Sequence, residues 1–131
     1  MALIEDGIFA YLSSQSNITT IAGSRIYGQV LPQDATLPAV VFNNIASVPL
    51  DMLNGKPVMD RTRIQVDCYA RNSHDAKLLA KAIRDSLESY VGPLGSLTAR
   101  CIRCIEYGVD DFDDVPNDFR VTSEFEIWHT V

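Results

Sequence analysis

Apolar residues recur along the chain with two different periods, and the changes between them mark out the elements. Ile4, Ile8, Tyr11 and Leu12 fall on one face at spacings of three and four, which predicts a helix over about Leu3–Ser14. Gly7 inside it weakens the helix slightly. Ser16 and Asn17 punctuate the pattern, and Ile18–Gly23 reads as a short turn of helix closed by its glycine. A short extended piece, Arg25–Leu31, and a loop holding Pro32 and Pro38 lead into a β-rich run, Ala39–Val48. Pro49–Lys56 is a connection with Asn54-Gly55 as its turn signal.

The clearest strand is Arg61–Ala70. Thr62, Ile64, Val66, Cys68 and Ala70 share one face, while Arg61, Arg63, Gln65, Asp67 and Tyr69 share the other. A period of two with this polarity marks a sheet that has one face on a core and one toward water or a partner. The strongest helix follows. Asn72 or Ser73 can cap it, Asp75 suits its first turn, and Ala76, Leu79, Ala80, Ile83, Leu87, Tyr90 and Val91 form an apolar stripe that Gly92-Pro93 ends. Lys81–Asp85 and Arg84–Glu88 are spaced for weak pairs along its outer face. Leu97–Tyr107 and Phe119–Thr130 read as two further strands, the second with Phe119, Val121, Phe125 and Ile127 inward. Between them Gly108–Pro116 reads as an acidic loop.

The predicted order is α, short helix, β, β, β, α, β, β. The simplest architecture is an α+β fold in one domain, residues 1–131: a mainly antiparallel sheet with two main helices packed on one face. It leaves the other face and at least one sheet edge for a neighbour to cover.

Composition narrows the function classes. With 131 residues the chain can bury a core without disulfides or metal. A formal net charge of -6 argues against a protein whose main task is gripping nucleic acid, because phosphate binding is led by Lys and Arg. No apolar run approaches the length of a membrane span, and the acidic start at Glu5 and Asp6 does not resemble a secretory signal. The 3 cysteines are expected as reduced thiols in a cytosolic setting.

Each candidate for chemistry has a plainer structural reading. Cys101-Ile102-Arg103-Cys104 has the C-x-x-C spacing of zinc and redox sites, but residues three apart on a strand point to opposite faces. A nucleophilic pair of Cys68 with His74 conflicts with Cys68 on the apolar face and His74 in a helix first turn. His129, near the C-terminus, adds only a lone imidazole. Asp110, Asp111, Asp113 and Asp114 lack the EF-hand spacing and its closing glutamate, so a solvated acidic loop is favoured over a calcium site. No nucleotide-binding glycine motif and no G-x-S-x-G is present. Neither a catalytic site, a metal nor a cofactor is indicated.

The ordered landmarks resemble the tail-completion family of long-tailed bacteriophages, also described as tail-to-head joining or tail-terminator proteins. The matching stretches are the helix with Ile8, Tyr11 and Leu12, then Ile21–Tyr27, Val30–Phe42, Arg61–Ala70, Asp75–Arg84 and Phe119–His129, and Cys101–Pro116 matches least. The resemblance implies a structural virion protein that caps the head-proximal end of the tail tube, typically as a hexameric ring, and joins tail to head. Its partners would be further copies of itself, the tail tube protein and a head-completion or connector protein, with DNA merely passing. The alternatives are another head–tail connector or minor tail protein, and a small thiol enzyme. On this expectation Met52, Leu53 and Asn54, in a Pro49–Met59 arm, together with Arg61, Arg63, Tyr69 and Trp128, are the candidate interface residues.

Overall fold

The structure is a computed structural model that describes residues 3–50, 58–113 and 118–131. Two helices, α1 (Ile4–Ser14) and α2 (Ser16–Ala22), precede strands β1 (Ile26–Gly28), β2 (Ala39–Leu50) and β3 (Met59–Ala70). Helix α3 (Ser73–Leu87) then leads to β4 (Gly92–Leu94), β5 (Leu97–Asp113) and β6 (Asp118–Thr130). The strands form one six-stranded sheet in the order β1-β2-β3-β6-β5-β4. Among the described residues only the β1–β2 pair is parallel. The sheet curls, and α1 touches both of its outermost strands, β1 and β4.

The alternation of β3 holds. Thr62, Ile64, Val66, Cys68 and Ala70 are all buried, and β6 sets Val121, Phe125, Ile127 and His129 beside them. Helix α3 lies against β3, β5 and β6 and closes this core with Ala76, Leu79, Ile83 and Leu87. Burial of each large side chain in that stripe stabilises by about 1.5–3 kcal/mol. Asn72 is the cap: its Oδ1 accepts from the Asp75 N–H at 2.8 Å, and its Nδ2 donates back to Asp75 Oδ2 at 3.0 Å. The expected Lys81–Asp85 and Arg84–Glu88 pairs form at 3.0 and 2.8 Å. Polar clamps hold the helices to one another. The Tyr11 hydroxyl donates to Ser86 O, Asn17 Nδ2 donates to Ala82 O, and Ser86 Oγ donates to Asn17 Oδ1.

Three expectations change. The stripe of α3 does not continue through Tyr90 and Val91. The helix ends at Leu87, Ser89 turns the chain with φ 66°, and its N–H donates to Ile102 O of β5. Val91 is exposed, and the chain instead reverses into β4, a strand too short to leave a periodic signal. The segment expected as an acidic loop from Gly108 is strand as far as Asp113, because it pairs with Asp118–Thr122 of β6. The register shifts between Glu106 and Val109, where Gly108 adopts φ 76°, so a bulge carries the strand past the point where its alternation breaks. Gly7, expected as a mild weakness in α1, is a packing requirement. A Cβ at that position would stand 2.3 Å from Leu94 O of β4.

Gly7→Ala therefore sets a helix-propensity gain of about 0.5–1 kcal/mol against a collision with backbone. The collision wins, and a net loss of about 1–3 kcal/mol is expected, the range for overpacking a tight contact. Thermal unfolding checks this: a melting temperature equal to or above that of the wild type would show that β4 can move away without cost.

Candidate assembly interface

The outward face of the sheet is built in rows by the strand register. Val48, Arg61, Trp128 and Cys101 form one row, Ala46, Arg63, Glu126 and Arg103 the next, and Asn43, Gln65, Glu124 and Glu106 a third. Charges of opposite sign meet across neighbouring strands, on diagonals between β3 and β6 and directly opposite between β5 and β6. Arg63 Nε donates to Glu124 Oε2 at 3.1 Å, and Arg61 and Arg103 stand on either side of Glu126 at 3.9 and 3.2 Å. Hydrogen bonding to Glu124, then its charge, holds Arg63 above the usual arginine range. The candidates Arg61 and Arg63 are thus paired within the chain and still half in water. Such exposed pairs add little stability, and their main effect is to fix where the charges sit. Trp128 is half-buried, with the Arg103 guanidinium 6.0 Å from its ring centre.

Tyr69 belongs to a separate cluster at the other end of this face. Asp67 is buried there and accepts hydrogen bonds from Thr122 Oγ1 at 2.6 Å and from Gln65 Nε2 at 3.2 Å. Arg120 donates to Asp111 and carries a buried Nε with no partner of its own. The Tyr69 hydroxyl, then Asp111 and the charge of Asp67, favour the charged guanidinium and hold Arg120 well above the usual arginine range against the cost of its partial burial. Tyr69 is half-buried and stands opposite Arg120 across the β3–β6 ladder, at the margin of this polar cluster. Met52, Leu53 and Asn54 lie outside the described residues.

The candidates for chemistry are distributed rather than gathered. Cys101 sits in the outward row with Trp128, while Cys104 pairs with inward-facing Phe125 and packs at the core margin. Burial, the leading cause, raises the Cys104 thiol. Cys68 is buried in the core, and His74 is exposed in the first turn of α3. Asp110 pairs with Lys77 at 3.3 Å and Asp111 with Arg120, so two of the acids expected in a loop are strand residues neutralised by cations. Among the described residues no three His, Cys, Asp or Glu side chains are grouped to hold a metal ion. A cleft of about 510 Å³ between α1 and the β1–β2 edge is lined by Glu5, Asp6, Phe9, Phe42 and Asn44. No cysteine, serine or histidine is among its lining residues.

Sequence reasoning missed the role of His129. It lies on the inward face, buried, at the end of a directional chain of hydrogen bonds. Its Nδ1 is 2.7 Å from Thr130 O, so that nitrogen carries the proton and donates. Nε2 is then the acceptor from Thr62 Oγ1 at 2.7 Å, Thr62 accepts from Ser47 Oγ at 3.0 Å, and Ser47 accepts from Asn44 Nδ2 at 3.2 Å. Asn44 also donates to Glu5 Oε1 at 2.9 Å, which ties α1 to the exposed half of β2. The signal that finds His129 is parity, since it continues the inward series Phe125, Ile127.

Comparison with known proteins follows the same lines. A family model described as "Tail completion protein gp17" matches residues 6–130. None of the curated proteins matches the sequence. Among solved structures, a chain from the virion of a native gene transfer agent particle is similar, with a TM-score of 0.71 and 13% identity over 99% of this chain and 96% of that one. A second solved chain shares the fold with a TM-score of 0.54 and 15% identity over 94% of each.

The thiols provide a test of the placement. Burial, then the neighbouring charge of Asp67, pushes the Cys68 thiol far up. Burial also raises the Tyr11 hydroxyl. A group whose folded-state pKa is raised stabilises the fold below its unfolded value and loses that contribution as pH climbs toward the folded value. Stability should therefore fall as pH rises above about 8.5, the ordinary thiol value. Native-state alkylation should modify Cys101 first and leave Cys68 untouched until the protein unfolds. Rapid labelling of Cys68 in the folded protein, followed by mass spectrometry, would contradict its position in the core.

Proposed function

The chain belongs to the tail completion protein gp17 family, and from that premise we propose that it caps the head-proximal end of a phage tail tube as a ring of identical subunits, with six the expected number. The family match over residues 6–130 is the observation that carries this reading. The similar chain in a gene transfer agent virion agrees with a structural role in a phage-like particle. In this reading the helices cover one face of the sheet, and the opposite face with its ion-pair rows meets neighbouring proteins. One surface of the ring docks on the last ring of the tail tube protein, and the other receives a head-completion or connector protein. The protein acts at the head–tail junction after assembly in the bacterial cytoplasm.

No catalysis and no cofactor enter this mechanism. Stopping tube growth needs only a subunit that binds the growing end and offers no second copy of the tube's own docking surface. The net charge of -6 keeps DNA from adhering as it passes, through like-charge repulsion. Arg61, Arg63, Tyr69 and Trp128 are the described candidates for contact, with Met52, Leu53 and Asn54 in the arm between β2 and β3. Among the described residues no helix is long and apolar enough to cross a membrane.

Loss of the gene should give tails of uncontrolled length in electron micrographs of lysates. Normal tails beside heads that leak DNA would instead identify a head-completion protein and overturn the capping role. The arm has its own test: deleting residues 51–57 should abolish ring formation, and intact rings after deletion would remove Met52, Leu53 and Asn54 from the interface.

A further inference from the structure

Two stretches of strand lack a neighbour on their outer side among the described residues. β1 covers β2 only at Val40–Phe42, and beyond the bond from Gln29 N–H to Phe42 O the edge of β2 is open from Asn43 to Leu50. β4 covers β5 only at Leu97–Ala99, Ser89 N–H reaches Ile102 O, and the edge is open from Arg103 to Asp113. These openings lie at opposite ends of the sheet. The free part of β2 is level with the Thr130 end of β6, and the free part of β5 with its Asp118 end.

Ladder alternation shows which backbone groups face outward. Val40 N–H donates to Arg25 O on the β1 side, so Cys68 opposite it bonds instead to Val121 of β6. By the same parity Thr62 bonds to Ile127, and Ser47 opposite Thr62 turns its N–H and C=O to the open edge. Pro49, opposite Asp60, also faces outward, where a missing N–H costs the ladder nothing. On β5, Asp110 lies opposite Val121, whose groups are engaged with Cys68, so Asp110 presents its N–H and C=O to the other open edge. Exposed apolar side chains accompany both edges: Ile45 and Val48 on β2, and Tyr107, Val109 and Phe112 on β5.

Charge distinguishes the pairings these edges could make. The free part of β5 carries Glu106, Asp110, Asp111 and Asp113 against one cation, Arg103, and Glu106 already faces Glu124 in register, two like charges side by side. A second β5 edge would add more acids. The free part of β2 has no charged residue from Asn43 to Leu50. Next to it on β3 stand Arg61 and Arg63, whose guanidinium groups lean away from β2 toward Glu126 and Glu124 of β6 and remain 42% and 49% exposed. The uncharged edge of β2 adds no like charge to the acids of β5, and a β2–β2 pair would close a two-fold dimer rather than repeat around a ring. Direction also fits. Each of the pairs β2–β3, β3–β6 and β6–β5 is antiparallel, so β2 and β5 run oppositely and two copies the same way up meet as antiparallel strands.

Resting on the ring reading above, we propose that the free edge of β5 (Arg103–Asp113) adds as an antiparallel strand to the free edge of β2 (Asn43–Leu50) of a second copy, and that this one head-to-tail junction repeats around the ring. Because the two openings lie at opposite ends of the sheet, each copy is staggered along the strands relative to the next. Strands tilted to the ring axis supply that stagger, as they do when a sheet closes into a barrel. The register shifts of β5 and Pro49 on β2 limit pairing to this one partner, as bulges and prolines do on edges that must not aggregate.

Ser47→Pro should block the β2 edge and Asp110→Pro the β5 edge. Val48→Lys and Val109→Lys do so more mildly, with the ladder and the Ser47 hydroxyl left in place. The full-length chain is followed by sedimentation velocity, with circular dichroism confirming the fold. Wild type should sediment as a closed ring and each variant alone as a monomer. A mixture of one β2 variant and one β5 variant should give a heterodimer, since one live edge of each kind remains. Rings from folded variants of both edges would overturn the pairing and leave the ring intact. Dimers of the β5 variant alone would replace it with β2–β2 pairing. A wild type that is monomeric at every concentration and forms no ring on isolated tail tubes either would remove the ring reading and the junction with it.

Discussion

The β3–β6 ladder is the constraint from which the rest of the molecule follows. Twelve residues of β3, Met59–Ala70, pair without interruption against β6, and neither strand has an irregularity between them. An unbroken register fixes every side chain to one face, because a slip of one residue would exchange the two sets. Inward, this gives Ile64, Val66, Phe125 and Ile127 to the core that α3 closes. Outward, the same register aligns Arg61, Arg63, Glu124 and Glu126 so that opposite charges meet on diagonals. The flanking strands β2 and β5 carry all the bulges. Regularity is concentrated at the centre, where the core demands it, and irregularity at the margins, where partners would bind.

What was legible in the sequence follows this division. The central strands are legible almost to the residue, and α3 in its start and buried face though not its end, because half-burial gives a strict alternation and a one-sided helix gives a clean stripe. β4 was missed because three residues, Gly92–Leu94, cannot show a period. The far half of β5 was mistaken for a loop because Gly108 and the clustered aspartates are turn-like in composition. Their pairing with β6 and with Lys77 and Arg120 is a tertiary effect that no local window contains. Gly7 looked like a helix defect since its reason, the carbonyl of Leu94, is remote in sequence. The candidate interface residues split in the same way. Parity places Arg61, Arg63, Tyr69 and Trp128 on the outward face, but it cannot show that Tyr69 stands opposite Arg120 beside buried Asp67 while Arg103 lies over the Trp128 ring.

The polar residues explain why the chain offers binding surfaces and no reactive centre in its described part. A catalytic group needs a partner that activates it and an approach for substrate. Here His129 and Asp67, both buried, have structural partners. His129 terminates the chain of hydrogen bonds from Asn44, and Asp67 is engaged by Thr122 and Gln65. Cys68 has burial working against its thiolate. The exposed half of β2 is tied to the body through Ser47 and Thr62, and to α1 through Asn44 and Glu5. Those bonds hold a projecting strand in place that has few apolar contacts to hold it. A strand held stiffly away from the core by polar bonds keeps its edge at a fixed height and angle. Strand addition needs that stiffness: a floppy edge would lose conformational freedom on pairing, and a preorganised one has already done so.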